Sequence, residues 1–431
     1  MQISTQKIPA FLFIILAIFM FFLIIGPRVS DEQQRKHCVY NIHLPGPFGL
    51  SLNCDSLDFL SLADNPKIFL QKGNVRQDRP GFIVLASALS KFYPLKMNKA
   101  MRRAVHIATV NGNGYYMPIF YFKYYVAYII INIAVLVLSF WFFSKIIFKK
   151  MPGSFVQIAL GALFIFNDPV KAFVWSPHTQ MFNIMLPLFC VWCFVGVVEK
   201  KLFKKKTVFT LSLLAGLGAT AYASFFLILP SIIVPAMLTQ KPSGVSAVSR
   251  FIVRSVVISI LVVLPSALWY FYVLSKTGSF YSHSTEAYHH VIWMKEVYLH
   301  DGLTILLAKL FSNFGELFVL AAKQSWILLP VLALALVANG RSENKIQWRD
   351  FFQSTQFIGC IFISIIFLVF FSMVGLIAAR IAYTAVPPLI ILTAYLMQQV
   401  PHNKTTLTYR LIPFVILSYG VYEVVKDGPY S

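Results

Sequence analysis

Apolar runs dominate the pattern of this chain, and most recur at the length of a membrane-spanning helix. A bilayer core takes roughly 20 apolar residues per helix, fewer where neighbours or an interface help. By that measure spans fall near 9–26, 124–144, 154–167, 181–198, 207–222, 223–239, 252–274, 324–339, 356–378, 384–399 and 411–425. The pattern predicts an all-α polytopic membrane protein of about eleven transmembrane helices, folded as one transmembrane domain over 1–431. The first run, "PAFLFIILAIFMFFLIIG", is followed by "PRVSDEQQRK" with no small-residue cleavage site. It reads as a retained helix rather than a removed signal peptide.

Two regions between apolar runs are too long for plain connectors: 27–123 and 275–323. Within the first, "PGFIVLASALSKF" (80–92) is apolar but too short to cross. "KMNKAMRRAVHIA" (96–108) is basic and amphipathic, with Met97, Met101 and Val105 four apart. Both are expected to lie in the membrane interface. The second region ends in "LTILLAKLFSNFGELFVLAA" (303–322), interrupted by Lys309, Asn313 and Glu316. It too is read as interfacial, although a span there would reverse the orientation of every later helix.

Charge placement then orients the chain. Cytoplasmic loops of membrane proteins carry excess Lys and Arg, and long translocated loops are left out of that comparison. With the N-terminus inside, 17 Lys and Arg lie on the inner side and seven on the outer side, the first long loop excluded. Of 16 Asp and Glu, only Glu199, Glu343 and Asp350 then lie inside. The polar chemistry faces outward.

Composition agrees with this class. The chain is 58% hydrophobic and 12% charged, about half the charge of a soluble domain. A net charge of +21 would suggest nucleic acid in a soluble protein. Here the basic residues flank apolar segments and no recognition motif occurs, so no nucleic-acid partner is expected. Cys190, Cys193 and Cys360 fall inside expected spans, as small hydrophobes. Cys38 and Cys54 lie in the first outer loop and are candidates for a disulfide, which an oxidising compartment would permit. There are no repeats, Walker-type phosphate loops, HExxH motifs or Ser-His-Asp arrangements.

The candidate chemistry begins with "NCDSLDFLSLADNP" (53–66), an acidic stretch in a basic chain. Asp55 and Asp58 are three apart and share a face if helical. The same residues also read as a capping box, with Asn65-Pro66 ending the helix. "QDRPGF" (77–82) sets Arg79 and Pro80 at the start of the first interfacial helix, or in a solvated turn. Asp168, Lys171, His178, Gln180 and Asn183 form a polar cluster between two spans, as a loop satisfying two helix ends also would. The loop 281–301 holds His283, His289, His290 and His300 with Glu286. It could ligand a metal, but no ligand spacing is diagnostic and a wet aromatic loop fits equally. Finally, "ARIAYTAVPPLIIL" (379–392) places Arg380 and Tyr383 about one turn apart at an outer helix boundary, where Arg380 either snorkels or binds an anion.

Taken together, these segments resemble the GT-C superfamily of integral-membrane glycosyltransferases, the mannosyltransferase and aminoarabinose-transferase type that use polyprenyl-phosphate sugars. The likeness lies in an early outer-loop Asp (Asp55, with Asp58), an Arg-Pro element (Arg79-Pro80) and a late Arg…Tyr…Pro segment (Arg380, Tyr383, Pro387). The chain departs from the pattern in having Asp-x-x-Asp rather than adjacent acids, and two residues between Arg380 and Tyr383.

The resemblance implies an inverting transfer of a sugar to an acceptor hydroxyl on the periplasmic face of a bacterial inner membrane. Asp55 would be the general base and Asp58 its orienter. Arg380, Arg79 and Lys171 would hold the donor phosphate, and Asp168, His178, Gln180, Tyr383 and Glu286 would line the substrate site. The expected partners are a polyprenyl-phosphate sugar donor, a lipid, glycan or protein acceptor, and the bilayer. No metal ligand is assigned, and the resemblance leaves open a divalent ion such as magnesium or manganese. Two alternatives stand beside it: a transporter or flippase of lipid-linked sugars, and an O-antigen polymerase or ligase. A transporter would place ionisable groups near the midplane, whereas here they gather at the outer ends. Polymerases and ligases typically carry their large loop late.

Overall fold

The computed structural model describes residues 39–43, 49–53, 55–92, 119–147, 155–199, 205–240, 244–340, 346–400 and 407–426. A short antiparallel hairpin comes first, β1 (Val39–His43) paired with β2 (Gly49–Asn53) in a register running from Val39↔Asn53 to His43↔Gly49. Helices follow: α1 (Ser56–Asp64), α2 (Pro80–Leu89), α3 (Phe122–Ile147), α4 (Phe155–Ala162), α5 (Asp168–Phe173), α6 (Phe182–Val198), α7 (Lys205–Ala219), α8 (Ile228–Gln240) and α9 (Val245–Thr277). The remainder are α10 (His283–Glu286), α11 (Ile292–Gln324), α12 (Leu328–Gly340), α13 (Trp348–Phe352), α14 (Thr355–Val374), α15 (Ala379–Ala382), α16 (Val386–Gln399) and α17 (Leu407–Lys426). The chain is thus an all-α multi-pass membrane protein apart from one hairpin that the apolar pattern did not announce.

Six described stretches are long and apolar enough to cross a membrane: Phe122–Ile147, Thr179–Val198, Val245–Thr277, Ile292–Gln324, Thr355–Val374 and Ala379–Gln399. The span expected at 154–167 is instead the eight-residue α4 followed by a reversal. Asn167 makes that reversal, its amide donating to the Leu163 carbonyl and accepting from Val170 N–H. The runs at 207–222, 223–239, 324–339 and 411–425 become shorter apolar helices. The run at 9–26, the basic helix at 96–108 and the Cys38–Cys54 pair lie outside the described residues. Val39 and Asn53 of the terminal hairpin pair adjoin those two cysteines in sequence.

The long outer region expected at 275–323 contracts to 278–291, because the rest is α11. That helix breaks only at Gly302, whose φ of 82° and ψ of 177° are not helical. Length and composition give 303–322 the makings of a span. Yet the hydrogen bonds from this region to α14 all reach its C-terminal end: Val291 N–H to Val374, Trp293 Nε1 to Met373 and Asn313 Nδ2 to Ser372. Gly375 closes α14 with φ of 77°, and an added Cβ would meet Trp293 Nε1 at 2.6 Å, so glycine is required there twice over.

The core centres on α6, packed by α3, α8, α14 and α16. Buried residues cover its whole circumference, as expected of a helix surrounded by others. In contrast α9 and α11 leave most of their apolar surface exposed, including Phe271, Leu268 and Phe311. Lipid is the natural cover for such surface.

Candidate functional site

One helix assembles the site. On α3, Tyr125, Tyr128 and Asn132 recur at three- and four-residue spacing and so share a face. Tyr128 donates its hydroxyl to the Phe59 carbonyl of α1 at 2.9 Å. Tyr125 donates to the Trp175 carbonyl at 2.5 Å, and Asn132 Nδ2 reaches the carbonyls of Phe173, Val174 and Ser176. The start of the first-loop helix and the segment 173–178 are thereby held against the same surface. Ser56 Oγ and Ser176 Oγ, both buried, meet at 3.2 Å and complete the junction.

Asp55 sits at this junction. Its Oδ1 lies 2.6 Å from Arg76 Nη2 and its Oδ2 lies 3.2 Å from His178 Nε2. Both partners are buried, with side chains 9% and 7% exposed, while the Asp55 side chain is 41% exposed. The capping box expected here does not form. Asp55 occupies the N-cap position but makes no side-chain cap bond, because its oxygens are committed to Arg76 and His178. The local turn is made by Asn53, whose Oδ1 accepts from Asp55 N–H and Ser56 Oγ. The other end behaves as expected, with Asn65 at the C-cap and Pro66 opening a 3₁₀ turn.

Asp58 lies one turn along, 3.6 Å from the same Arg76 Nη2, with its side chain 53% exposed. Arg76 therefore faces both carboxylates. Its guanidinium also covers the Phe59 ring at 4.9 Å, and its buried Nε has no hydrogen-bond partner among the described residues.

The electrostatics separate the two acids. Burial alone would raise the Asp55 carboxyl, but the His178 hydrogen bond and the Arg76 charge outweigh it and hold it well below the usual aspartate value. Burial raises Asp58, and the Asp55 charge adds to it, so Asp58 stays above the usual value although Arg76 and His283 oppose the rise. Burial lowers His178, reinforced by Arg380 and Arg76, despite the pull of Asp55. His178 is accordingly a neutral imidazole: Nδ1 accepts Gln180 N–H at 3.2 Å, which leaves Nε2–H to donate to Asp55.

A chain of rings connects this centre to Arg380. The Arg380 guanidinium lies 6.0 Å from the Phe173 ring centroid, and Phe173 lies 4.9 Å from the His178 ring. The Arg380 backbone is fixed by Asn183, whose Nδ2 donates to its carbonyl at 3.0 Å. Asn183 also donates to Gln180 Oε1 and accepts from the Tyr222 hydroxyl, each at 2.5 Å. The charges of Arg79 and Arg380 both reach Tyr222. Arg380 is exposed and, among the described residues, has no carboxylate within ion-pair distance.

Arg79 opens α2, as the Arg-Pro reading anticipates. Gly81 N–H bonds the Thr220 carbonyl at 3.0 Å, and a Cβ on Gly81 would run into the Thr220 hydroxyl. Arg79 Nη2 donates to Ser284 Oγ at 2.6 Å, and Ser284 and Ser282 both donate to Asp78. Gln77, fully buried, ties the same strip down. Its Nε2 donates to the Phe69 and Gln71 carbonyls, its Oε1 accepts from Tyr281 N–H, and its carbonyl accepts from Trp269 Nε1.

The structure thus brings Asp55, Asp58 and His178 into one group, with Arg380 and Arg79 bordering it. Gln180 is buried beside Asn183 and acts within the scaffold. Tyr383 is buried in the 3₁₀ turn that follows α15, with its hydroxyl 3.4 Å from the Leu163 carbonyl. Glu286 is exposed on α10. Asp168 and Lys171 belong to α5, and their side chains lie outside the described set. Among the described residues no three His, Cys, Asp or Glu side chains gather in a way that would hold a metal. Sequence reasoning passed over Arg76, Gln77, Asp78, Tyr222 and Ser284. Arg76 and Asp78 do carry one available signal, since they crowd the Arg-Pro element in "VRQDRP".

No family model, curated protein or solved structure matches this chain.

Proposed function

We propose that the protein is an integral-membrane glycosyltransferase that moves a sugar from a polyprenyl-phosphate donor to an acceptor hydroxyl, with inversion, at the outer face of a bacterial inner membrane. The observation that carries this reading is the joining of an exposed carboxylate pair, Asp55 and Asp58, to a buried Arg76 and a neutral His178, with Arg79 and Arg380 at the edge.

An inverting transfer needs a carboxylate within hydrogen-bond reach of the acceptor hydroxyl. It also needs cations where charge builds on the departing phosphate. The Asp55/Asp58 pair supplies the first and Arg79 with Arg380 the second. The exposed apolar faces of α9 and α11 offer surface suited to a lipid-linked substrate. The acceptor oxygen attacks the anomeric carbon as the bond from that carbon to the phosphate oxygen breaks. The electron pair leaves with the phosphate, and the hydroxyl proton passes to a carboxylate.

The test is Asp55→Asn in membranes given polyprenyl-phosphate hexoses and pentoses labelled in the sugar. Wild-type membranes are expected to transfer label from one of these donors, and the variant to lose that transfer at normal protein level. Absence of transfer by wild-type membranes from every one of these donors would sink the reading, and transfer by the variant at the wild-type rate would remove Asp55 from the site.

A further inference from the structure

We propose that Asp58, not Asp55, takes the proton from the acceptor, and that Asp55 is the fixed anion that holds Arg76 and His178 in place. This rests on the transferase reading and names the reacting carboxylate within it.

Each Asp55 oxygen already accepts a hydrogen bond, Oδ1 from Arg76 at 2.6 Å and Oδ2 from His178 at 3.2 Å. Arg76 and His178 are both buried, and Phe59 covers the Arg76 guanidinium while Phe173 lies against the His178 ring. Neither partner can swing away to free an oxygen without opening the packed junction. A carboxylate oxygen held by a guanidinium at that distance is a poor proton acceptor.

Asp58 differs at each point. Its nearest cationic nitrogen, Arg76 Nη2, stands at 3.6 Å, beyond hydrogen-bond length, and its side chain is the more exposed of the two. The charged and titratable groups acting on it are Arg76, Asp55 and His283. General bases work best when their proton affinity lies near the operating pH. Where two acids are driven apart by their surroundings, the raised one is suited to proton transfer, and here that is Asp58.

Position supports the same assignment. His283, which acts on Asp58, adjoins Ser284, which accepts the hydrogen bond from Arg79. Arg79 thus holds the start of α10, the helix whose first residue is His283. In the step itself the acceptor O–H bond breaks and its proton passes to Asp58. The oxygen bonds the anomeric carbon, and the carbon–phosphate oxygen bond cleaves with its electrons on the leaving phosphate. Being half exposed, Asp58 can return the proton to water and be ready again.

The experiment compares Asp58→Asn with wild type in the same labelled-donor assay over a pH series. Asp58→Asn is expected to lower kcat by about 10²–10⁴-fold, leave the donor KM within about twofold, and abolish the acid limb of the kcat profile. Asp58→Glu should restore part of the rate and the limb. If wild-type membranes transfer label while Asp58→Asn keeps both rate and limb, this assignment falls and the transferase reading survives. If wild type transfers from none of the donors, the transferase reading falls and takes the assignment with it. An independent measurement needs no substrate. Carbodiimide with glycine ethyl ester modifies protonated carboxyls, so on the intact protein in detergent Asp58 should label ahead of Asp55 as the pH is lowered. The reverse order would overturn the proposal.

Discussion

Replacing Arg76 by Met keeps much of its length and removes its charge, which isolates what the guanidinium does. Breaking one side of a fully buried ion pair costs about 3–5 kcal/mol, whereas exposed pairs are worth about 0–1 kcal/mol. This pair lies between those limits, since Arg76 is buried and Asp55 is 41% exposed. His178 still holds the second oxygen of Asp55 in the variant, and water reaches the first. The loss of the contact over Phe59 adds about 0.5–1 kcal/mol. Removing the unpartnered Nε gives some of this back, because a buried donor without a partner is costly in the native protein. The expected net loss is about 1–3 kcal/mol, read from reversible unfolding of the detergent-solubilised protein.

A double-mutant cycle with Asp55→Asn isolates the pair itself. It should give a coupling energy above the roughly 0.3–0.5 kcal/mol scatter of independent sites. The gap between wild type and Arg76→Met has a defined pH dependence. Asp55 is depressed in the folded protein, so its contribution is present above the ordinary aspartate value and is lost as pH falls through its folded value. The gap should therefore close on acidification. Arg76 also lowers Asp58, so the acid limb of transfer should move to higher pH in the variant. Additive cycle energies together with an unmoved limb would refute this account of Arg76.

Two further changes test the scaffold around the acids. His178→Phe keeps a ring against Phe173 but deletes the donor to Asp55; a hydrogen bond to a charged group is worth about 1.5–3 kcal/mol, so kcat should fall about tenfold or more with donor KM little changed. Gln77→Leu leaves the Phe69 and Gln71 carbonyls and Tyr281 N–H without their partner. At about 1–3 kcal/mol for a buried unsatisfied group, unfolding should show a loss of about 2 kcal/mol or more. Hydrogen exchange at the Tyr281 amide should accelerate well before global unfolding, and an unchanged exchange rate would count against the clamp.

What could be read ahead of the structure follows from the range of each interaction. Apolar runs report burial in lipid or core, so the two most apolar spans, 122–147 and 355–374, stand out from sequence alone. The same signal cannot tell a span from a short buried helix. At 155–166 the run is apolar but for Gln157, yet Asn167 turns the chain by bonding locally to Leu163 and Val170. Local chemistry was legible where one residue decides it, as with Pro66 ending α1 and Pro80 opening α2. It misled at Asp55, where a capping box is only one use for a carboxylate. The tertiary partners Arg76 and His178 claimed both oxygens, and Asn53 took over the turn. Arg76 was illegible for a related reason. In sequence it is one more basic residue in a loop of a basic chain. Its burial depends on Phe59 and two aspartates packed by α3, a helix that begins 46 residues later. Counting carboxylates pointed to the candidate site, because acids are scarce and their clustering is informative against a net charge of +21. Counting arginines could not, because the one that organises the pair is distinguished only by where it is buried.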